Sequence, residues 1–437
     1  MSRQASATNR KPPPLEYSLL LTATLCLLAF GAVMVFSASS ARSLLNSGGS
    51  GFYYLERTLV FAAIGLVVMR VASVRGVAAI RVLTPLVLLI SLVLLVAVLL
   101  PGVGQTVNGA QRWIGASLLQ FQPSELAKLA VVLYGAYLLA KEPKRARTLS
   151  GLGPYLLIVG LAVLLIANQP DLGTAMVLSF AVCCVLFLAG VRPQTLAPVG
   201  ALIALVAVVM IAMNPYQEQR LTGFLNPGTD PSGTGFQANQ ATIAVGSGGF
   251  MGVGLGESVQ KASYLPEAHT DMVAAVIGEE LGLAGMFVLI GLFGMFGYAG
   301  LRAAHRARDR FSKLLAAGLT SLILAQAALN LFAVLGLAPL TGVPLPFVSY
   351  GGTSLVLTLA SAGLILNVAR RPAAQGSSRR TGTSRKGATA GSPARLRVVE
   401  GRTHRRKRAA SGTSRDSGRR HGGARRAGDR RRRRASR

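Results

Sequence analysis

Residues Pro266 to Leu301, PEAHTDMVAAVIGEELGLAGMFVLIGLFGMFGYAGL, hold the segment whose reading decides the fold class. From Asp271 onward it is mostly apolar and longer than the ~20 residues that cross a bilayer, which predicts a membrane helix over 271–301. Yet Glu267, His269 and Asp271 stand at its entry, and Glu279 and Glu280 follow inside it. At a rise of ~1.5 Å per residue the latter pair lies ~12 Å beyond Asp271. A carboxylate near the bilayer centre is disfavoured by at least ~2.5–3.5 kcal/mol. Such acids need partners or a function.

Working outward, apolar runs of similar length recur along the chain. They predict ten membrane helices near 18–38, 57–75, 82–101, 123–140, 153–167, 171–191, 195–213, 271–301, 314–338 and 352–369. Basic clusters then give the orientation. Arg3, Arg10 and Lys11, Arg70, Arg75 and Arg81, Lys141 to Arg147, Arg192, Arg302 to Lys313 and the C-terminal tail all fall on one side of a ten-span chain. The intervening loops carry only Arg42, Arg57, Arg112, Arg220 and Lys261. Both termini are therefore expected in the cytoplasm. The loop from 214 to 270 is expected outside, packed rather than free because Phe224, Phe236, Ile243, Phe250 and Tyr264 interleave its polar residues.

Composition agrees with this class. The 437 residues are 51% hydrophobic and only 14% charged, with a mean hydropathy of +0.48. Net charge is +30, but residues 370–437 alone hold 24 Lys/Arg against 3 Asp/Glu, so the excess belongs mostly to the tail. That tail is Arg/Ser/Gly-rich without hydrophobic periodicity and is expected to be disordered. It suits anionic lipid or an acidic cytoplasmic partner. Without a nucleic-acid-binding fold or interleaved aromatics, no nucleic acid is expected. The domain organisation expected is 1–17 as a cytoplasmic segment, 18–369 as the membrane domain and 370–437 as the tail. Cys26, Cys183 and Cys184 lie in apolar runs and read as core residues, not a disulfide or metal set. The run Leu19 to Phe36 before SASSA is better read as a first membrane helix than as a signal peptide.

Four polar motifs remain. In FQPSELAKLA, Pro123 and Glu125 mark a helix start, and Lys128 is spaced to pair with Glu125. Lys128 and Arg112 are also among the few cations on the outer side, where a pyrophosphate-bearing lipid would need them. In NQPDLGT, Asp171 reads as a helix N-cap. GSGGFMGVGLGES has many glycines but no phosphate-loop spacing, so close backbone packing is the expectation. PLPFVSYGGTS reads as a tightly turned entry to the last span, with Ser349 and its neighbouring hydroxyls available to a polar cavity. For Asp271, a carboxylate at the water boundary, two readings stand: a general base toward a sugar hydroxyl, or a proton or ion relay. Glu279 and Glu280 read as a buried network, with Lys128 or with backbone at a helix break.

In these motifs the chain resembles the SEDS family of membrane glycosyltransferases, the FtsW/RodA type. The likeness runs from VMVFSASS through NGAQRWI, FQPSELAKL, QPDLGTA, AVGSGGFMGVGLGES and LPEAHTDMVAAVIGEELG to PFVSYGGTS. It implies an all-α, polytopic fold of about ten transmembrane helices with a large outer loop between the seventh and eighth. It implies polymerisation of peptidoglycan from lipid II with release of undecaprenyl pyrophosphate. Asp271 occupies the position of the family's catalytic acid, and Arg112 and Lys128 those of its basic residues. The candidate substrate-binding set is Arg112, Glu125, Lys128, His269, Glu280 and Ser349. The usual partners are a class B penicillin-binding transpeptidase and other divisome proteins. A divalent cation, magnesium or manganese, is an open expectation because no ligand set is visible. The N-terminal part is more similar to the division type than to the elongation type, which implies the plasma membrane at the septum. Two rival classes are a lipid II flippase and a scaffold that recruits a transpeptidase. No internal repeat favours the first, and the intramembrane acids argue against the second.

Overall fold

The computed structural model describes residues 13–46, 51–107, 110–115, 120–226, 234–263 and 265–370. The expectations for the tail beyond Arg370 and for residues 1–12 lie outside the described residues. The chain forms helices α1 (Leu15–Asn46), α2 (Tyr53–Ala97), α3 (Pro123–Lys141), α4 (Leu149–Ala167), α5 (Leu172–Leu188), α6 (Pro193–Met213) and α7 (Pro215–Leu225). It continues through α8 (Thr234–Ser247), α9 (Gln260–Ser263), α10 (Val273–Glu280), α11 (Gly282–His305), α12 (Arg310–Val334) and α13 (Gly352–Arg370). Between α2 and α3 lies the antiparallel hairpin of β1 (Gly104–Val107) and β2 (Ala110–Ile114).

Eight of the described helices are long and apolar enough to cross a membrane, and α5 is slightly shorter. α2 is helical over 45 residues, which as a straight rod would be ~67 Å long. It cannot be straight. Near its start, the Tyr54 ring lies 4.3 Å from that of His269, and near its end Leu95 O accepts a hydrogen bond of 3.3 Å from Gln169 Nε2. Both ends thus reach the side of the bundle that holds Asp271. The middle reaches the opposite side, where Ser73 O accepts from Asn367 Nδ2 near the end of α13 and Arg81 pairs with Asp309. α2 therefore doubles back around 73–81 and supplies the two expected spans at 57–75 and 82–101. Counting it twice and adding α5 yields ten crossings.

The core forms where α12 packs against α3, α5, α11 and α13. Apolar side chains face lipid as readily as protein, so close approach in such a bundle depends on small residues. Gly318 of α12 is one: a β-carbon there would meet Val132 of α3 and Val185 of α5 at 2.8 and 2.7 Å. At the basic end, the buried carboxylate of Glu16 receives Arg302 and Arg306 at 3.0 and 2.6 Å. The structure moves several expected boundaries. α1 starts at Leu15 instead of 18, α12 spans 310–334 instead of 314–338, and the eighth span begins at Gly282 instead of Asp271.

The last change has a local cause. Leu281 ends α10, and Gly282 adopts φ +62°, a conformation that favours glycine and breaks the helix before α11 restarts. The loop around Gly248–Gly254 wraps this break. Val253 N and Gly254 N donate to the carbonyls of Glu279 and Glu280, and Leu283 N and Ala284 N donate back to Gly249 O and Phe250 O. The glycine-rich run thus packs backbone on backbone, as expected, and the 214–270 loop carries α7, α8 and α9. At Gly252, φ is +81° and a β-carbon would collide with Glu280 O. Gly252→Ala should therefore destabilise the protein by ~1–3 kcal/mol or more, seen as a lower thermal midpoint in detergent. An unchanged midpoint would mean the loop yields freely.

Candidate active site

Asp271 sits in the turn 266–272 that leads into α10, outside the membrane-spanning helices. Its placement is enforced from three directions. Asn330 of α12 donates Nδ2 to Asp271 O at 2.7 Å and to Val343 O at 2.8 Å, tying the turn to the 340–344 segment. Thr270 Oγ1 lies 3.2 Å from both Asp271 Oδ1 and Glu267 Oε2. From α7, Arg220 donates to Leu340 O at 3.1 Å. A β-carbon at Gly342 would lie 3.5 and 3.6 Å from the Arg220 Nη atoms and 3.8 Å from Asp271 Oδ2.

The side chain of Asp271 is only half-buried, yet enough water is displaced around it to push its carboxyl up to about 6. Arg220 opposes that rise, Glu267 adds to it, and the Thr270 hydroxyl weakens it. The result is a carboxylate poised near neutrality. That is the range in which a general base combines ionisation with useful proton affinity.

The other candidates are distributed around this point. Lys128 is buried and donates to Glu125 Oε1 at 2.8 Å and Gln326 Oε1 at 2.7 Å, in a small cavity also lined by Thr358 and Ser361. Gln326 donates in turn to Pro344 O at 2.9 Å. It lies one turn from Asn330 on α12, so Lys128 and Asp271 contact one polar stripe of that helix. Arg112 of β2 donates to the adjacent carbonyls of Gln169 and Pro170, the turn before α5. Asp171 caps α5 through Thr174 N at 3.2 Å, as its position predicts, and accepts from Gln122 Nε2 at 3.3 Å. His269 is buried with Tyr54 and Tyr350 rings 4.3 and 5.6 Å away. Ser349 Oγ accepts from Leu345 N at 2.8 Å, inside its own turn.

Glu280 is fully buried away from this cluster. It accepts from Lys261 Nζ at 2.6 Å and from Ser37 of α1 at 2.6–2.7 Å. Glu279 accepts from Ser258 Oγ and from Val259 N at 3.0 Å, at the start of α9. The expected buried network therefore exists, but its cation is Lys261 of the outer loop and not Lys128. Sequence reasoning missed two cations, Arg220 and Lys261. Their scarcity on the outer side was the available signal.

Among the described residues no group of three or more His, Cys, Asp or Glu comes together. Glu267 and Asp271, which share the Thr270 hydroxyl, have the positive Arg220 nearby.

Residues 17–373 match the family model described as "Cell cycle protein", that of FtsW, RodA and SpoVE. The chain belongs to the FtsW/RodA/SpoVE family. It is 41% identical over 355 residues to the probable peptidoglycan glycosyltransferase FtsW of Geobacter sulfurreducens, covering 81% of this chain and 95% of that one. It is 40% identical over 354 residues to the stage V sporulation protein E of Bacillus subtilis, covering 80% and 96%. Among solved structures, a chain of a peptidoglycan synthase complex that coordinates polymerization and crosslinking is similar, with a TM-score of 0.66 and 33% identity over 80% of this chain and 96% of that one. The rod-shape-determining protein RodA of Thermus thermophilus aligns with a TM-score of 0.58 and 29% identity, covering 80% and 95%. The family-model match spans α1 to α13 and stops at residue 373.

Proposed function

We propose that this protein is a peptidoglycan glycosyltransferase that polymerises lipid II in the plasma membrane, with Asp271 as general base. Family membership supports the reaction class. The observation that carries the residue assignment is the half-buried Asp271 carboxyl, raised to about 6 by desolvation and held in place by Asn330 and Thr270. The 4-hydroxyl of an acceptor sugar gives its proton to Asp271 as its oxygen attacks the anomeric carbon of the donor. The bond from that carbon to the pyrophosphate oxygen breaks, and undecaprenyl pyrophosphate leaves with the electron pair. Inversion at the anomeric carbon follows from the single displacement.

Arg112 and Lys128 are the proposed source of positive charge toward the pyrophosphate. A divalent cation taking part would arrive with the substrate phosphates, a common mode for magnesium. The partner proposed is a class B penicillin-binding transpeptidase, with the termini cytoplasmic and the division septum as the site of action. The similarity to a chain of a synthase complex and to FtsW proteins supports both.

The deciding experiment combines purified protein, lipid II and a candidate transpeptidase inactivated in its own active site, with glycan products resolved by length. Strands made only when this chain is present support the reading. Lipid II moved across vesicles but never polymerised would replace it with the flippase. The pH profile provides a further check. A base works only when ionised, so the polymerisation rate should rise through about pH 6 and level off above it. A rate that falls over the same interval would assign Asp271 the opposite role, that of an acid.

A further inference from the structure

Arg220 comes from α7, some fifty residues before Asp271, in a loop otherwise poor in cations. Its guanidinium is fixed by the bond to Leu340 O. The neighbouring Gly342 has φ +67° and no side chain, so Arg220 and the Oδ2 side of Asp271 both come within 4 Å of one point above its Cα. Asn330 holds the other side of the same segment through Val343 O and the Asp271 carbonyl. α7, the 340–344 segment and the Asp271 turn thus form one assembly in which a cation faces a carboxylate.

We propose that Arg220 is a positioning residue that keeps Asp271 in its charged, proton-accepting form by facing it across Gly342. This role rests on the reading of Asp271 as general base. The other groups around this carboxylate cannot substitute. Glu267 on the same turn is negative and favours protonation. His269 packs with the Tyr54 and Tyr350 rings. Thr270 and Asn330 are neutral, and Lys128 is engaged by Glu125 and Gln326. An opposite charge within ~4–6 Å commonly moves a carboxyl by 1–3 pH units toward the ionised form. Here that attraction works against the desolvation of Asp271.

The test is the pH–rate profile of glycan polymerisation for wild type, Arg220→Gln and Arg220→Lys, each with the candidate transpeptidase inactivated in its own active site. Arg220→Gln is expected to move the rising limb upward by about one pH unit or more, so that activity is low at neutral pH and recovers at alkaline pH. Arg220→Lys keeps the charge and should retain a limb close to that of wild type. A lower rate at every pH with the limb unmoved would overturn the proposal and make Arg220 a structural tether. A raised KM with the limb unmoved would also overturn it, in favour of direct phosphate binding. Should Arg220→Gln fail to fold, Arg220→Met serves as the neutral variant beside Arg220→Lys: a limb raised in Met and kept in Lys supports the proposal, and a limb unmoved in both overturns it. A wild type that makes no glycan refutes the general-base reading itself. An active wild type whose limb ignores residue 220 refutes only the role of Arg220.

Discussion

Asp271→Asn is expected to abolish most glycan polymerisation while leaving a folded, inserted protein. Asparagine keeps the shape of the side chain and can still bond to Thr270, but it cannot accept the acceptor's hydroxyl proton at neutral pH. Loss of a general base typically lowers rate by ~10²–10⁴-fold. The fold should be unharmed, because the neutral amide relieves the desolvation that raises the Asp271 carboxyl. Asn330 bonds to the backbone of residue 271 and not to its side chain, so the turn keeps its anchor. The measurement is lipid II turnover and strand length beside a thermal melt in detergent. Polymerisation at the wild-type rate would remove Asp271 from the mechanism while leaving the enzyme assignment intact.

Lys261→Met should have the largest effect on stability. It strands the Glu280 carboxylate, which is fully buried and receives both Lys261 Nζ and Ser37. Removing one partner of a buried ion pair commonly destabilises by ~3–5 kcal/mol because the remaining charge is uncompensated. The double variant Lys261→Met/Glu280→Gln leaves no stranded charge and should recover part of that loss. Thermal midpoints in detergent, compared as a double-mutant cycle, measure the coupling. Independent, additive losses would show that the pair contributes nothing specific to holding α9 against α10 and α1.

Much of the fold was legible because the bilayer imposes length and polarity rules that act locally. Runs near twenty apolar residues and one-sided basic clusters marked the spans, including the two that the structure joins as one doubled-back helix. Local rules also sufficed for Asp171 as the cap of α5, for the pairing of Lys128 with Glu125 and for the packing of the glycine-rich loop. Each of these depends on neighbours three or four residues away or on the conformational range of glycine. Glu279 and Glu280 of the opening stretch behaved differently. Their types marked the region as unusual, but their partners are Lys261, Ser258 and Ser37, the last 243 residues from Glu280. No spacing rule reaches that far.

What the sequence determined by itself is therefore the membrane class, the order of the spans, the family and the position of Asp271 at the mouth of a helix. Only the tertiary structure decided which cation serves Glu280 and which faces Asp271. It engaged Glu279 and Glu280 with Ser258, Lys261 and Ser37, apart from the candidate site, and it brought Arg220 from α7 to face Asp271 across Gly342. The physical reason is range. Hydropathy and helix capping are settled by adjacent residues and the solvent, whereas a buried charge takes whichever opposite charge the packed helices bring within a few ångströms.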